Sequence, residues 1–349
     1  MAHHDHDAGH HHHSHPHDEG LLARLSHALG PHSHDAAESV DDALEASNDG
    51  IRAVKISLVV LGVTALAQAA LVALTGSVAL LADTVHNLSD ALTALPLWVA
   101  FVLGRRHPTR SHTYGFGRAE DLAGIFIVAM IALSAVVAGY QSITRLIDPQ
   151  PVDFPWVVVA AGLIGFIGNE AVAMYRIRVG RRIGSAALVA DGHHARTDGF
   201  TSLAVVLGAL GVMAGMPLAD PVIGLVITVA ILFVLRGAAR DIYRRLMDAV
   251  DPELTDQALT CIRATDGVED VESFRVRWIG HRLHAETGIQ VDHRLDVVTA
   301  HEIANDAHHR LLHTVPKLVE VTVHISPSPI AGNDFHAILG HHPRPTNVR

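Results

Sequence analysis

Leu80–Leu97 reads LLADTVHNLSDALTALPL, an apolar stretch that carries Asp83, His86 and Asp90. A second apolar stretch, Ala186–Leu210, repeats the arrangement with Asp191, His194 and Asp198. Each contains Ala-Asp-x-x-His-x-x-x-Asp. A His-to-Asp spacing of four puts an imidazole and a carboxylate side by side on one helical face. Ionisable groups at membrane depth are costly and mark ion or proton pathways.

Composition places these motifs in a bilayer. The chain of 349 residues is 49% hydrophobic and 18% charged, with a mean hydropathy of +0.28. Spanning a hydrocarbon core of about 30 Å takes roughly 20 helical residues. Six segments are long enough: Ala53–Thr75, Val78–Leu103, Asp121–Ile147, Trp156–Tyr175, Ser185–Ala214 and Ala219–Leu235. The third holds Gln141 and the fourth Glu170. A formal charge of −10 argues against nucleic acid as a partner. The single Cys261 excludes an intrachain disulfide framework and a Cys-rich zinc module. The polar, acidic N-terminus predicts no cleavable signal peptide.

Residues 1–50 are of low complexity, with twelve His between His3 and His34 among Asp5, Asp7, Asp18, Asp35 and Glu38. Such a tract cannot bury a core and is expected to be a disordered cytosolic arm. Two readings stand, an expression tag and a loose metal-collecting arm, since neutral imidazole and carboxylate suit zinc and its neighbours.

The connections set the orientation. Arg52 and Lys55 precede the first span. Arg105, Arg106, Arg110 and Arg118 separate the second from the third. Arg176, Arg178, Arg181 and Arg182 separate the fourth from the fifth, and Arg236, Arg240, Arg244 and Arg245 follow the sixth. The other connections carry only Arg145 near Asp148-Pro149. The positive-inside rule then predicts a multi-pass protein of the cell membrane with both termini in the cytoplasm. The spans define a transport domain over 51–240.

Residues 241–328 change character. Glu253–Ala264 and Val297–His313 have helical periodicity, while Val268–Ile279, Arg282–Val291 and Lys317–Ile325 have strand character. The order α-β-β-α-β predicts a small α+β domain with a ferredoxin-like sheet. So small a core favours docking to a second copy. Residues 329–349, with His336, His341 and His342, form a loose tail.

Spans two and five run in opposite directions. His86 and Asp90 lie roughly 12–18 Å in from the outer end of one, and His194 and Asp198 roughly 13–20 Å in from the inner end of the other. Both pairs therefore reach the midplane of a core about 30 Å thick. Together they offer two nitrogens and two oxygens, a set for tetrahedral Zn²⁺ and, less selectively, Co²⁺ or Cd²⁺. Two carboxylates also neutralise one divalent cation where net charge is expensive. A lone pair would read as helix–helix glue, but two at matching depth read as a site. Asp83 and Asp191 have two readings, as groups that orient the imidazoles or as bundle hydrogen bonds. Asn87, Ser89, His193 and Thr197 are packing or outer-shell groups.

The chain resembles the cation diffusion facilitators, zinc-type divalent-cation/proton antiporters. The likeness is carried by ADTVHNLSDAL, by YGFGRAEDLAG (Tyr114–Gly124), by ADGHHARTDGFTS up to Ser202, and by the tail ending VTVHISP. It covers roughly residues 50 to 327 and, with the motif of Asp191–Ser202, implies a homodimer in a lipid bilayer, protons as counter-ion and a cytosolic domain that responds to metal. It implies His86, Asp90, His194 and Asp198 as transport ligands, and a His in the second span resembles zinc-preferring members. His284, His301 and His324 resemble tail-domain metal ligands of the family. A carboxylate of some members is Ser326 here, so that site would be weaker or rebuilt with His281 or His308-His309. In the loop between spans two and three, His107 and His112 resemble part of a further zinc site, with Phe116 standing where another ligand would fall. No cofactor is implied, since zinc is cargo and regulatory ligand.

Other classes fit less well. The helical HExxH of a metallohydrolase is missing, because His301-Glu302 is followed by Asn305, and no G-x-S-x-G occurs, so no enzyme is expected. A metal-sensing receptor or proton channel could use the same four residues. A scaffold would leave the duplicated motif without a use.

Overall fold

The chain folds as a helical bundle with a small α+β domain seated against one end, as seen in a computed structural model. The structure describes residues 34–75, 94–148, 155–216, 218–330, 335 and 341, with side chains in the first helix at 46–71 and 73. Asp83, His86, Asn87, Ser89, Asp90, residues 1–33 and the histidines 336 and 342 lie outside the described residues.

The bundle helices are α1 (His34–Thr75), α2 (Ala94–Gly104), α3 (Arg118–Ile147), α4 (Pro155–Ile183), α5 (Ala186–Met213) and α6 (Ala219–Leu246). Among the described residues four helical segments are long and apolar enough to cross a membrane: Ala46–Leu71, Arg118–Ile147, Pro155–Ile183 and Ala219–Leu246. α2 is a shorter apolar helix, the later part of the expected second span. α5 is as long as α6 but carries Asp191, Arg196 and Asp198, and it is the helix with most of its residues shielded. Val59, Val63 and Leu66 on α1 and Val226 and Phe233 on α6 face outward. Lipid, unlike water, leaves such a face at no disadvantage.

α4 runs eight residues beyond the span expected at Trp156–Tyr175. Arg176 is therefore a helix-interior residue rather than part of a connection, and the turn to α5 is only Gly184-Ser185. Gly184 has φ +80°, and Ser185 caps α5 by accepting from the Leu188 amide at 3.0 Å. α6 likewise continues past Leu235, so Arg236, Arg240, Arg244 and Arg245 extend the helix. α1 begins at His34, within the stretch expected as an arm.

α4 and α5 pack along their length, with close approach at small residues. A Cβ on Gly192 would lie 2.7 Å from Ile177 Cγ1 and 3.0 Å from the Ile177 nitrogen, so only glycine lets the helices meet there.

The tail domain comprises α7 (Pro252–Arg263), β1 (Asp270–Ile279), β2 (Arg282–Val291), α8 (Val297–Thr314) and β3 (Leu318–Pro327). Asp251 and Asp296 cap the two helices, the latter accepting from the Thr299 amide at 2.9 Å. The strands order β1-β2-β3 with β2 antiparallel to β1 and parallel to β3. Phe274, Leu283 and Ile289 from the sheet meet Ile262 and Leu311 from the helices in one core.

One turn joins the two halves. Gly280, with φ +60°, sits so close that an added Cβ would lie 2.8 Å from the Gly117 carbonyl oxygen. His281, buried, donates from Nδ1 to Glu120 Oε2 at 2.8 Å, and its Nε2 lies 3.3 Å from Ser47 Oγ. Arg245 donates to the Gly280 carbonyl at 2.7 Å and to that of Gly184, with its guanidinium 4.0 Å over the Trp278 ring. Arg182–Asp49 at 2.6 Å and Arg118–Asp248 at 2.7 Å tie the rim. The start of α1 is thus on the same side as the tail domain. Glu120→Ala leaves a buried imidazole without its carboxylate. The expected result is a loss of about 1–3 kcal/mol, read as a lower thermal midpoint of the detergent-purified protein. An unchanged midpoint would show that the backbone contacts alone seat the turn.

Candidate metal site in the bundle

α5 presents Asp191, His194 and Asp198 at i, i+3 and i+7, one face of the helix. They are 0%, 1% and 5% exposed. His194 Nδ1 and Asp198 Oδ1 are 3.7 Å apart, too long for a hydrogen bond. Two donors on one tetrahedral zinc, each about 2.0–2.1 Å from it, sit about 3.3 Å apart. A small side-chain adjustment would bring this pair to that spacing. Thr197, expected as a packing group, donates its hydroxyl to the His194 carbonyl at 2.6 Å. His86 and Asp90, the other half of the expected set, lie outside the described residues, as does Asp83.

Asp191 has a partner that sequence reasoning missed. Arg176 Nη1 on α4 lies 2.9 Å from Asp191 Oδ2, and both side chains are almost wholly buried. One and a half turns along, Arg196 on α5 makes a two-pronged pair with Glu170 on α4, at 2.7 and 3.1 Å. The two pairs have opposite polarity, and they bracket His194 along α5. A sum of residue numbers near 366 for both pairs would have matched them across an antiparallel hairpin. Counting Arg176 as a connection hid it.

The tail-domain histidines are spread out. His284 Nδ1 donates to Glu320 Oε2 at 3.0 Å, and burial holds its pKa below the ordinary value against the pull of Glu320. His301 is exposed on α8 and His324 is exposed on β3. Burial also lowers the pKa of His308. His281 is engaged at the turn with Glu120. Ser326 is buried and donates to Glu272 Oε2 at 2.8 Å, which places a carboxylate from β1 where the sequence lacks one. Among the described residues no group of three or more His, Cys, Asp or Glu could hold a metal ion. In the loop after α2, Phe116 stacks on His112 at 4.6 Å, so the aromatic ring occupies the space beside that imidazole.

Comparison with known proteins agrees with this architecture. The sequence profile of the cation efflux transmembrane domain matches residues 54–247, and that of the cation efflux protein cytoplasmic domain matches 250–328. A probable cation efflux system protein of Mycobacterium tuberculosis is 61% identical over 312 residues, 89% of this chain and 94% of that protein. Metal tolerance protein 2 of Oryza sativa is 27% identical over 72% of each chain. A manganese efflux system protein of Bacillus subtilis is 23% identical, over 72% of this chain and 87% of that one.

The crossed pairs make a prediction. Arg196→Met strands the half-buried Glu170 carboxylate and is expected to destabilise the protein by about 1–3 kcal/mol, while Arg196→Met with Glu170→Leu recovers most of it. Thermal unfolding of both variants in detergent checks this, and equal losses in the two would remove the pair as the cause.

Proposed function

The chain belongs to the cation efflux family, the cation diffusion facilitators, and on that premise we propose that it exports Zn²⁺ in exchange for protons. At the coarser level it is a multi-pass membrane transporter for divalent metal cations, not an enzyme, with a cytoplasmic C-terminal domain. The observation that carries the finer reading is the buried His194–Asp198 pair on α5, together with its sequence duplicate His86–Asp90. Imidazole suits zinc, whereas a site of carboxylates and water suits Mn²⁺. A manganese efflux protein at 23% identity is too distant to weigh against that donor chemistry.

Zinc needs neutral imidazoles and ionised carboxylates, so loading expels protons. On the outer side protons compete at His86 and His194 and displace the metal. The protonated site returns to the cytoplasm and exchanges protons for zinc, by rocking of helices about a midplane site. Each entering proton supplies ~1.4 kcal/mol per pH unit and ~2.3 kcal/mol per 100 mV. Because His284, His301 and His324 do not converge within one chain, a regulatory metal in the tail domain would draw donors from a second copy. That requirement supports a homodimer, as does a cytosolic core too small to stand well alone. We assign residues 51–240 to transport and 241–328 to regulation and dimerisation.

Inside-out vesicles with an acidic lumen should accumulate radioactive zinc. Uptake is expected to fall by about 100-fold or more in His194→Ala and in Asp90→Ala, since even outer-shell partners of a metal are worth about 10–100-fold. Retained uptake in either variant would overturn the assignment. A channel or receptor would not move zinc against its gradient.

A further inference from the structure

We propose that Arg176 is a positioning residue that sets the metal preference of the bundle site by holding Asp191 out of the donor set. The inference rests on the reading of His194 and Asp198 as transport ligands. Asp191 shares their face of α5, one helical turn before His194, and is fully buried. A free carboxylate there would be a further oxygen donor. Instead its Oδ2 lies 2.9 Å from Arg176 Nη1, on a side chain only 2% exposed.

The pair is not a well-made packing element. Both carboxylate oxygens of Asp191 and the Nε and Nη2 of Arg176 are buried with no hydrogen-bond partner among the described residues, so the two side chains meet as an ion pair by proximity alone. A buried ion pair of this kind is no better for stability than apolar side chains of similar volume. What it does supply is a fixed cation beside the ligands. With Asp191 neutralised, two imidazoles, two carboxylates and Zn²⁺ form a set of zero net charge. With Asp191 released, the set gains an oxygen and a negative charge. More oxygens and a higher coordination number favour harder cations such as Mn²⁺ over zinc. Arg196, which faces α4 on the other side of His194, is occupied by Glu170.

The test is the ratio of initial Mn²⁺ and Zn²⁺ uptake rates in proteoliposomes holding the full-length protein. Arg176→Gln is expected to raise the Mn²⁺:Zn²⁺ ratio by about tenfold or more, the direction set by the added oxygen donor. Arg176→Lys, which keeps the charge, should stay near wild type. Arg176→Gln with Asp191→Asn should restore the wild-type ratio. An unchanged ratio in Arg176→Gln overturns the proposal, and so does a shifted ratio that persists in the double variant. Should Arg176→Gln fail to fold, Arg176→Met with Asp191→Leu decides, because it leaves neither charge stranded. Its zinc KM and metal ratio should match wild type, and a raised zinc KM would make Asp191 a ligand and overturn the idea. A wild-type protein that moves no zinc sinks the zinc reading itself, whereas zinc transport with an unmoved ratio sinks only the role given to Arg176.

Discussion

A charge inside a lipid-embedded bundle must meet an opposite charge or a metal, because no water is there to solvate it. This constraint shapes the α4–α5 hairpin. Arg176 meets Asp191, Arg196 meets Glu170, and His194 and Asp198 stand between and beyond them on the shielded helix α5. Small residues such as Gly192 let the two helices come close enough for these contacts. Two of the three groupings set a cation against an anion across the hairpin. The third holds an imidazole and a carboxylate at a spacing that a cation could bridge. The apolar outer faces of α1 and α6 need no such matching, since lipid meets them on equal terms.

The same logic operates at the cytoplasmic end, where the tail domain is seated. The turn at Gly280-His281 reaches α1 through Ser47, α3 through Gly117 and Glu120, and α6 through Arg245. Arg245 also reaches the α4–α5 turn through the Gly184 carbonyl. Helix ends from most of the bundle therefore converge on one two-residue turn. A change in how the sheet sits would be felt at several helices at once, which is the physical content of coupling between a cytosolic domain and a membrane site.

Much of this was legible in the sequence. The tail-domain elements fall within two residues of their expected bounds, because Asp251 and Asp296 mark helix starts and alternation marks the strands. The motif of Asp191, His194 and Asp198 does lie on one buried face. Part of what was not legible lies in the arginine runs. Arginine runs beside apolar segments read as connections, yet in α4 and α6 they continue the helix, since arginine is a good helix former and the chain needs no turn there. That hid Arg176 as the partner of Asp191. In the sequence, Tyr114–Gly124 carries only a family resemblance. Its role as the seat for the tail domain depends on contacts from distant residues, such as Glu120 with His281 at 161 positions, which no local pattern encodes. His284, His301 and His324 form no metal-holding group among the described residues, and periodicity alone does not show how far apart they lie.

The central claim is that His194 and Asp198 share one metal ion with His86 and Asp90 at mid-membrane. Anomalous scattering from crystals of the zinc-loaded, full-length protein tests it most directly. The account predicts a zinc peak inside the bundle with two nitrogen and two oxygen donors at about 2.0–2.2 Å, drawn from those four side chains. A bundle free of zinc at saturating metal, or an imidazole of residue 86 turned to lipid away from that of residue 194, would contradict it.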